Sequence, residues 1–167
     1  EISKDINYFT LLNRKAGKTM ILSLFDANEK SRWTEKIKPI SLAQEDMLEY
    51  KRWIKRNRDI VHKLSDGKIG YMHVKSMSDQ SFREFIEDVL GEEIDKKALI
   101  VDTRFNTGGD LVDDLTTFLS GEKYMEFKYP GKNLGFESRK RWTKPSLMLV
   151  AEANYSDAHC VPVAYSD

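Results

Sequence analysis

Gly108 and Gly109 stand side by side after the apolar run Ala98-Leu99-Ile100-Val101-Asp102-Thr103 and its loop Arg104-Phe105-Asn106-Thr107. Ser156 follows a second apolar run, Ser146-Leu147-Met148-Leu149-Val150-Ala151, and the loop Glu152-Ala153-Asn154-Tyr155. Adjacent glycines let the backbone take φ > 0 and let a ligand approach closely. Free N–H groups at a helix start can hold an anion or an oxyanion. A serine hydroxyl facing such donors is the minimum kit for acyl transfer, provided that a base takes its proton. Each feature also has a plainer reading: the glycine pair as a tight turn, and Ser156 as a helix N-cap. Asp157 would open the helix after Ser156 and offer its backbone N–H rather than its charge. Asp102 and Arg104 flank the glycine loop and read as an ion pair.

The base is harder to find. His62 lies on a long polar linker helix and reads as inert, and His73 alternates along a strand as a half-buried structural residue. His159 stands three residues after Ser156 on the same helix face. It can support or polarise the loop, but a base within one helical turn has awkward geometry. No Glu-Lys, Cys-His or paired-carboxylate arrangement offers a stronger machine. No spacing suggests a metal, nucleotide or other cofactor.

The two loops need a sheet to hold them. Ile69–Val74, Ala98–Thr103 and Ser146–Ala151 read as strands, and the second is apolar throughout, as expected when both faces are covered. Ser78 or Asp79 caps a helix with a stripe of Phe82, Phe85, Ile86, Val89 and Leu90, stopped by Gly91. Leu111, Leu115, Phe118 and Leu119 mark another, stopped by Gly121. Residues 123–145 read as irregular, with Pro130-Gly131 as a turn. This order predicts an α/β fold with a largely parallel sheet and packed helices, where chemistry sits at the carboxyl ends of strands. Upstream, residues 5–16 read as a short helix, and 19–25 and 33–40 as strands of a hairpin. Ser41 with Gln44 forms a capping box for one long helix whose other face carries Lys51, Arg52, Lys55, Arg56 and Arg58, read either as a surface for an acidic partner or as a solvated linker face.

The chain has 167 residues, 40% hydrophobic and 32% charged. At this length a fold buries about 68–70% of the surface its unfolded chain exposes, so a core needs no staples. Lys+Arg and Asp+Glu number 27 each, so net charge is zero, which argues against nucleic acid or an anionic membrane as the main partner. The single cysteine, Cys160, permits no internal disulfide. No apolar run approaches the length of a membrane span. The chain starts Glu1-Ile2-Ser3 without Met and stops at Asp167 inside an expected helix, which predicts a piece of a longer protein. The compartment stays open between cytoplasmic and periplasmic or exported.

At these residues the sequence resembles the tail-specific, or C-terminal processing, serine peptidases, and within them the tricorn protease branch. Asp102-Thr103-Arg104-Phe105-Asn106-Thr107-Gly108-Gly109 resembles that family's Asp-x-Arg-x-Asn-x-Gly-Gly loop, and Asn154-Tyr155-Ser156-Asp157-Ala158 its nucleophile turn. Gly67–Val74 resembles the strand that opens the catalytic core. The resemblance implies three segments: the end of a PDZ-like α+β domain over 1–40, a linker helix over 41–66, and part of a crotonase-like catalytic core over 67–167. It implies a serine-type endopeptidase or peptide-processing hydrolase acting on peptides or unfolded protein, and is compatible with a homo-oligomer of the full-length protein. Ser156 would be the nucleophile. The N–H of Asp157 and one from Gly108 or Gly109 would form the oxyanion hole. Where many members have Glu three residues after the nucleophile, this chain has His159. Family bases lie outside the segments matched here, so the 167 residues alone are expected to be inactive or nearly so. Two rivals remain: a non-enzymatic peptide or hydrophobic-ligand binding module, and a crotonase-like acyl-CoA enzyme using the glycine donors without a serine.

Overall fold

A computed structural model of the chain describes residues 4–138 and 140–166. The backbone forms two compact units, one ending at Trp53 and the other starting at Ile54. In the first, α1 (Phe9–Leu12) is a single turn. It is shorter than the helix expected over 5–16, because Asn13 is extended, Arg14 is left-handed and no residue of the turn is buried. Strands β1 (Met20–Asp26) and β2 (Ser31–Ile37) pair antiparallel, with Met20 opposite Ile37 and Asp26 opposite Ser31. Asp26 Oδ1 accepts the N–H groups of Asn28 (2.7 Å) and Glu29 (3.1 Å), which builds the turn between them. Helix α2 (Leu42–Leu64) starts in the expected capping box: Gln44 Oε1 accepts the Ser41 N–H at 3.0 Å, and Ser41 Oγ accepts the Gln44 N–H at 3.3 Å. The division between the units falls within this helix.

In the second unit, β3 (Ile69–His73), β4 (Ala98–Asp102) and β7 (Ser146–Leu149) form a parallel sheet in the order β3-β4-β7. Helices α3 (Asp79–Gly91), α4 (Val112–Leu119) and α5 (Asp157–Ser166) accompany it. The core gathers the residues that the periodicity marks, among them Phe85, Val89, Leu99, Val101, Leu111, Leu115 and Phe118, together with Ala158 and Val161 of α5. Phe118 meets Phe85 edge-on, with ring centroids 5.5 Å apart.

Two stretches differ from expectation. Residues 123–145 are not irregular throughout: β5 (Met125–Tyr129) and β6 (Lys132–Glu137) form a hairpin around Pro130-Gly131. Trp142, beyond that hairpin, is 1% exposed in the core, and its Nε1–H donates to Pro145 O. On α2, Arg58 is not on a solvated face but half-buried, and His62, read as inert, is half-buried beside it. Arg58 pairs with Glu92 at 2.8 Å and approaches Asp88. Its Nε lies 3.8 Å, and His62 Nε2 3.4 Å, from the buried carboxylate of Glu93. Lone basic residues among other basic residues gave no sign of that buried partner.

Candidate active site

The carboxyl ends of β4 and β7 are neighbours because Asp102 pairs with Leu149. Thr103 extends the link, its N–H reaching Leu149 O at 2.9 Å and its Oγ1 the same oxygen at 3.1 Å. The loops that leave these strand ends stay together: the Tyr155 N–H donates to Asn106 O at 3.2 Å, and Asn154 Nδ2 donates to Thr103 Oγ1 at 3.0 Å. Ser156, Asp157 and Gly108 therefore converge. A Cβ added to Gly108 would stand 2.6 Å from Ser156 Cβ and 3.3 Å from Asp157 N.

Ser156 is exposed and left-handed, with φ 54°. An ordinary N-cap is extended and bonds the helix N–H groups through its side chain. Here the Ser156 hydroxyl makes no hydrogen bond among the described residues, while its carbonyl accepts the N–H groups of His159 (2.7 Å) and Cys160 (3.2 Å) to open α5. The strained turn thus presents an uncommitted hydroxyl at a helix start. Asp157 uses its carboxylate elsewhere, since Oδ2 accepts the Leu111 N–H at 2.7 Å where α4 begins.

The glycines are not equivalent. The Gly108 N–H donates to Asn106 Oδ1 at 2.8 Å, whereas the N–H groups of Gly109 and Asp157 make no hydrogen bond among the described residues. Gly108 O accepts the Met77 N–H at 3.0 Å, and Met77 O accepts the Asp110 N–H at 2.7 Å. In a planar trans peptide C=O and N–H point to opposite sides, so the Gly109 N–H faces away from Met77. Gly109 is held so close that a Cβ there would come within 1.8 Å of Met77 O. No sequence signal pointed to Met77.

Behind the loop lies a charged network. Arg104 Nη2 reaches Asp102 Oδ2 at 2.6 Å, Arg104 Nε bonds both carboxylate oxygens, and the Tyr71 hydroxyl donates to Oδ2 at 2.6 Å. Burial alone would raise the Asp102 pKa; the hydrogen bonds from Arg104 and Tyr71 outweigh it and hold the carboxyl below its ordinary value. Burial, followed by Asp102, pushes Tyr71 up to about 12. His73 is lowered, mainly by burial, and its ring bonds Arg104 O at 3.0 Å. A carbonyl only accepts, so Nε2 carries the proton. Among the described residues the ring of His159 has no hydrogen bond or ion pair, and its backbone N–H donates to Ser156 O. Two residues unassigned by the sequence matter here, Asn106 and Asn154. Their signal was an amide side chain, at once donor and acceptor, in each loop.

The structure is similar to the crystal structure of the tricorn protease, with a TM-score of 0.80 and 22% identity over 99% of this chain and 16% of that one; the two share a fold over this stretch. The sequence is similar to a tricorn protease homolog of Saccharolobus solfataricus, 37% identical over 103 residues that make up 61% of this chain and 9% of that protein. It is also similar to the tricorn protease of Thermoplasma acidophilum, 31% identical over 138 residues, or 82% of this chain and 12% of that protein. The chain thus spans roughly a tenth of the length of these relatives. Residues 68–167 match peptidase family S41, and the chain belongs to that family.

Proposed function

We propose that this chain carries the nucleophile and oxyanion half of a serine peptidase. The observation that carries the reading is the left-handed Ser156, its hydroxyl uncommitted, beside a loop and a helix start that each offer an unbonded N–H. Ser156 Oγ attacks the peptide carbonyl carbon while a base accepts its proton. The carbonyl oxygen becomes an oxyanion held by the N–H groups of Gly109 and Asp157. The C–N bond then breaks, the amine leaves with the proton returned by the base, and water hydrolyses the acyl-enzyme by the same steps. Of the two glycines, Gly109 is the donor, because Asn106 already takes the Gly108 N–H.

No imidazole, amine or carboxylate among the described residues bonds Ser156 Oγ, so the base comes from elsewhere in the full-length protein. His159 supports the turn at most. The finer architecture follows the same reading: 1–40 as the end of a PDZ-like domain, 41–66 as a linker helix and 67–167 as part of a crotonase-like core. Family membership and the likeness to tricorn proteases favour peptides or unfolded protein as substrate. The test is Ser156→Ala in the full-length protein, assayed on unstructured peptides. Turnover is expected to fall to background, and turnover that persists would overturn the proposal.

A further inference from the structure

We propose that Asn106 is a positioning residue that sets the geometry of the oxyanion loop and the nucleophile turn together. The inference rests on the acyl-transfer reading above. Asn106 lies in no helix or strand, yet it is fully buried. All four of its polar functions are committed. Its backbone N–H donates to Thr103 O at 3.2 Å, and its backbone O accepts the Tyr155 N–H at 3.2 Å. Its Nδ2 donates to Val74 O and its Oδ1 accepts the Gly108 N–H, both at 2.8 Å. One residue thereby fastens three places: through Nδ2 the chain just beyond β3, through Oδ1 its own loop beyond β4 and, through its backbone carbonyl, the residue before Ser156 beyond β7.

The carboxamide is what the place demands. Val74 O can only accept and the Gly108 N–H can only donate, so the side chain between them must do both from adjacent atoms. A carboxylate lacks the donor, and an aliphatic residue lacks both. Taking the Gly108 N–H has a further consequence. It removes one of two adjacent donors from competition for the oxyanion and, with Gly108 O held by Met77, it fixes the plane of the peptide that carries the Gly109 N–H. Asn106 touches neither Ser156 Oγ nor, in this reading, the substrate. It acts through Gly109 and Tyr155, and displacement of an active-site group by about 1 Å costs on the order of 10²-fold in rate.

The test uses the full-length protein and compares the parent with Asn106→Asp and Ser156→Ala. At neutral pH, Asn106→Asp keeps an acceptor for the Gly108 N–H but sets a carboxylate against Val74 O. The expected result is a kcat about 10²-fold lower with KM changed by no more than a few-fold. As pH falls, a protonated carboxyl again offers one donor and one acceptor, so the ratio of variant to parent kcat should rise. A residue that merely fills the core would lower thermal stability and leave the kcat of folded protein, and that ratio, unmoved; such a result would overturn the inference. If Ser156→Ala abolishes turnover while Asn106→Asp keeps parental kcat, this inference falls and the peptidase reading stands. If Ser156→Ala retains turnover, both fall. Should Asn106→Asp not fold, hydrogen exchange of the unaltered protein at single-residue resolution decides. The Gly108 amide should be protected and the Gly109 amide should exchange freely; equal exchange of the two would overturn the inference.

Discussion

Gly108→Ala perturbs the site by a methyl group alone. The added Cβ would lie 2.6 Å from Ser156 Cβ and 2.7 Å from Tyr155 O, whereas ordinary contact begins at 3.4 Å. The two loops must therefore part by about 0.8 Å in a site where about 1 Å of misplacement costs on the order of 10²-fold. Neither neighbour can yield cheaply, because one is backbone and the other is the Cβ of the strained serine. Gly108 also sits at φ +94°, a conformation that costs a residue with a Cβ about 1–3 kcal/mol. Peptide turnover and the rate of serine labelling by a fluorophosphonate should both fall about 10²-fold, equivalent to about 2.7 kcal/mol in the barrier. Strain and crowding are separated by Gly131→Ala in the hairpin turn, where φ is +79° but nothing lies within 4 Å of the new Cβ. That variant should lose stability and keep activity. If Gly108→Ala labels and turns over within about three-fold of the parent while remaining folded, the juxtaposition of Gly108 and Ser156 is not the working geometry.

Asp157→Asn preserves both the backbone N–H and an acceptor for Leu111, so its turnover should stay within a few-fold of the parent, whereas Asp157→Ala should lower the unfolding free energy by about 1–3 kcal/mol in denaturant titrations. Tyr71 ionises at about 12 when folded against about 10 when unfolded, so its contribution is complete below pH ~10 and is lost as pH rises toward 12. Tyr71→Phe should remove that alkaline loss. The same substitution strips a donor from Asp102, whose depressed pKa gives stability above pH ~4 that disappears on acidification; acid unfolding should therefore begin at higher pH in the variant, as followed by circular dichroism. Gly91→Ala, at the end of α3 with open space around the new Cβ and no positive φ, should raise stability by about 0.5–1 kcal/mol and leave activity alone.

The parallel sheet was legible because its central strand is apolar from Ala98 to Val101 and α3 carries a clean stripe, patterns that burial on both sides imposes on sequence. The hairpin at 125–137 was missed although Met125, Phe127 and Tyr129 alternate before Pro130-Gly131. Every β5 residue is exposed, so the alternation does not mark one buried face. Trp142 had no periodic companions to announce its burial. In the site, the types and order of Gly108, Gly109, Ser156 and Asp157 were readable, since glycine pairs and serines at helix starts have few uses. What could not be read was which N–H stays free. That depends on hydrogen bonds from Asn106 and Met77, which lie apart in sequence and meet only through the strand register.

The central claim is that Ser156 attacks the substrate carbonyl. The most direct measurement is reaction of the full-length protein with a fluorophosphonate, followed by proteolytic digestion and mass spectrometry of the adduct. A single stoichiometric adduct on Ser156 is expected, formed more slowly in Gly108→Ala. An adduct on another serine, or none in a preparation that cleaves peptides, would contradict it.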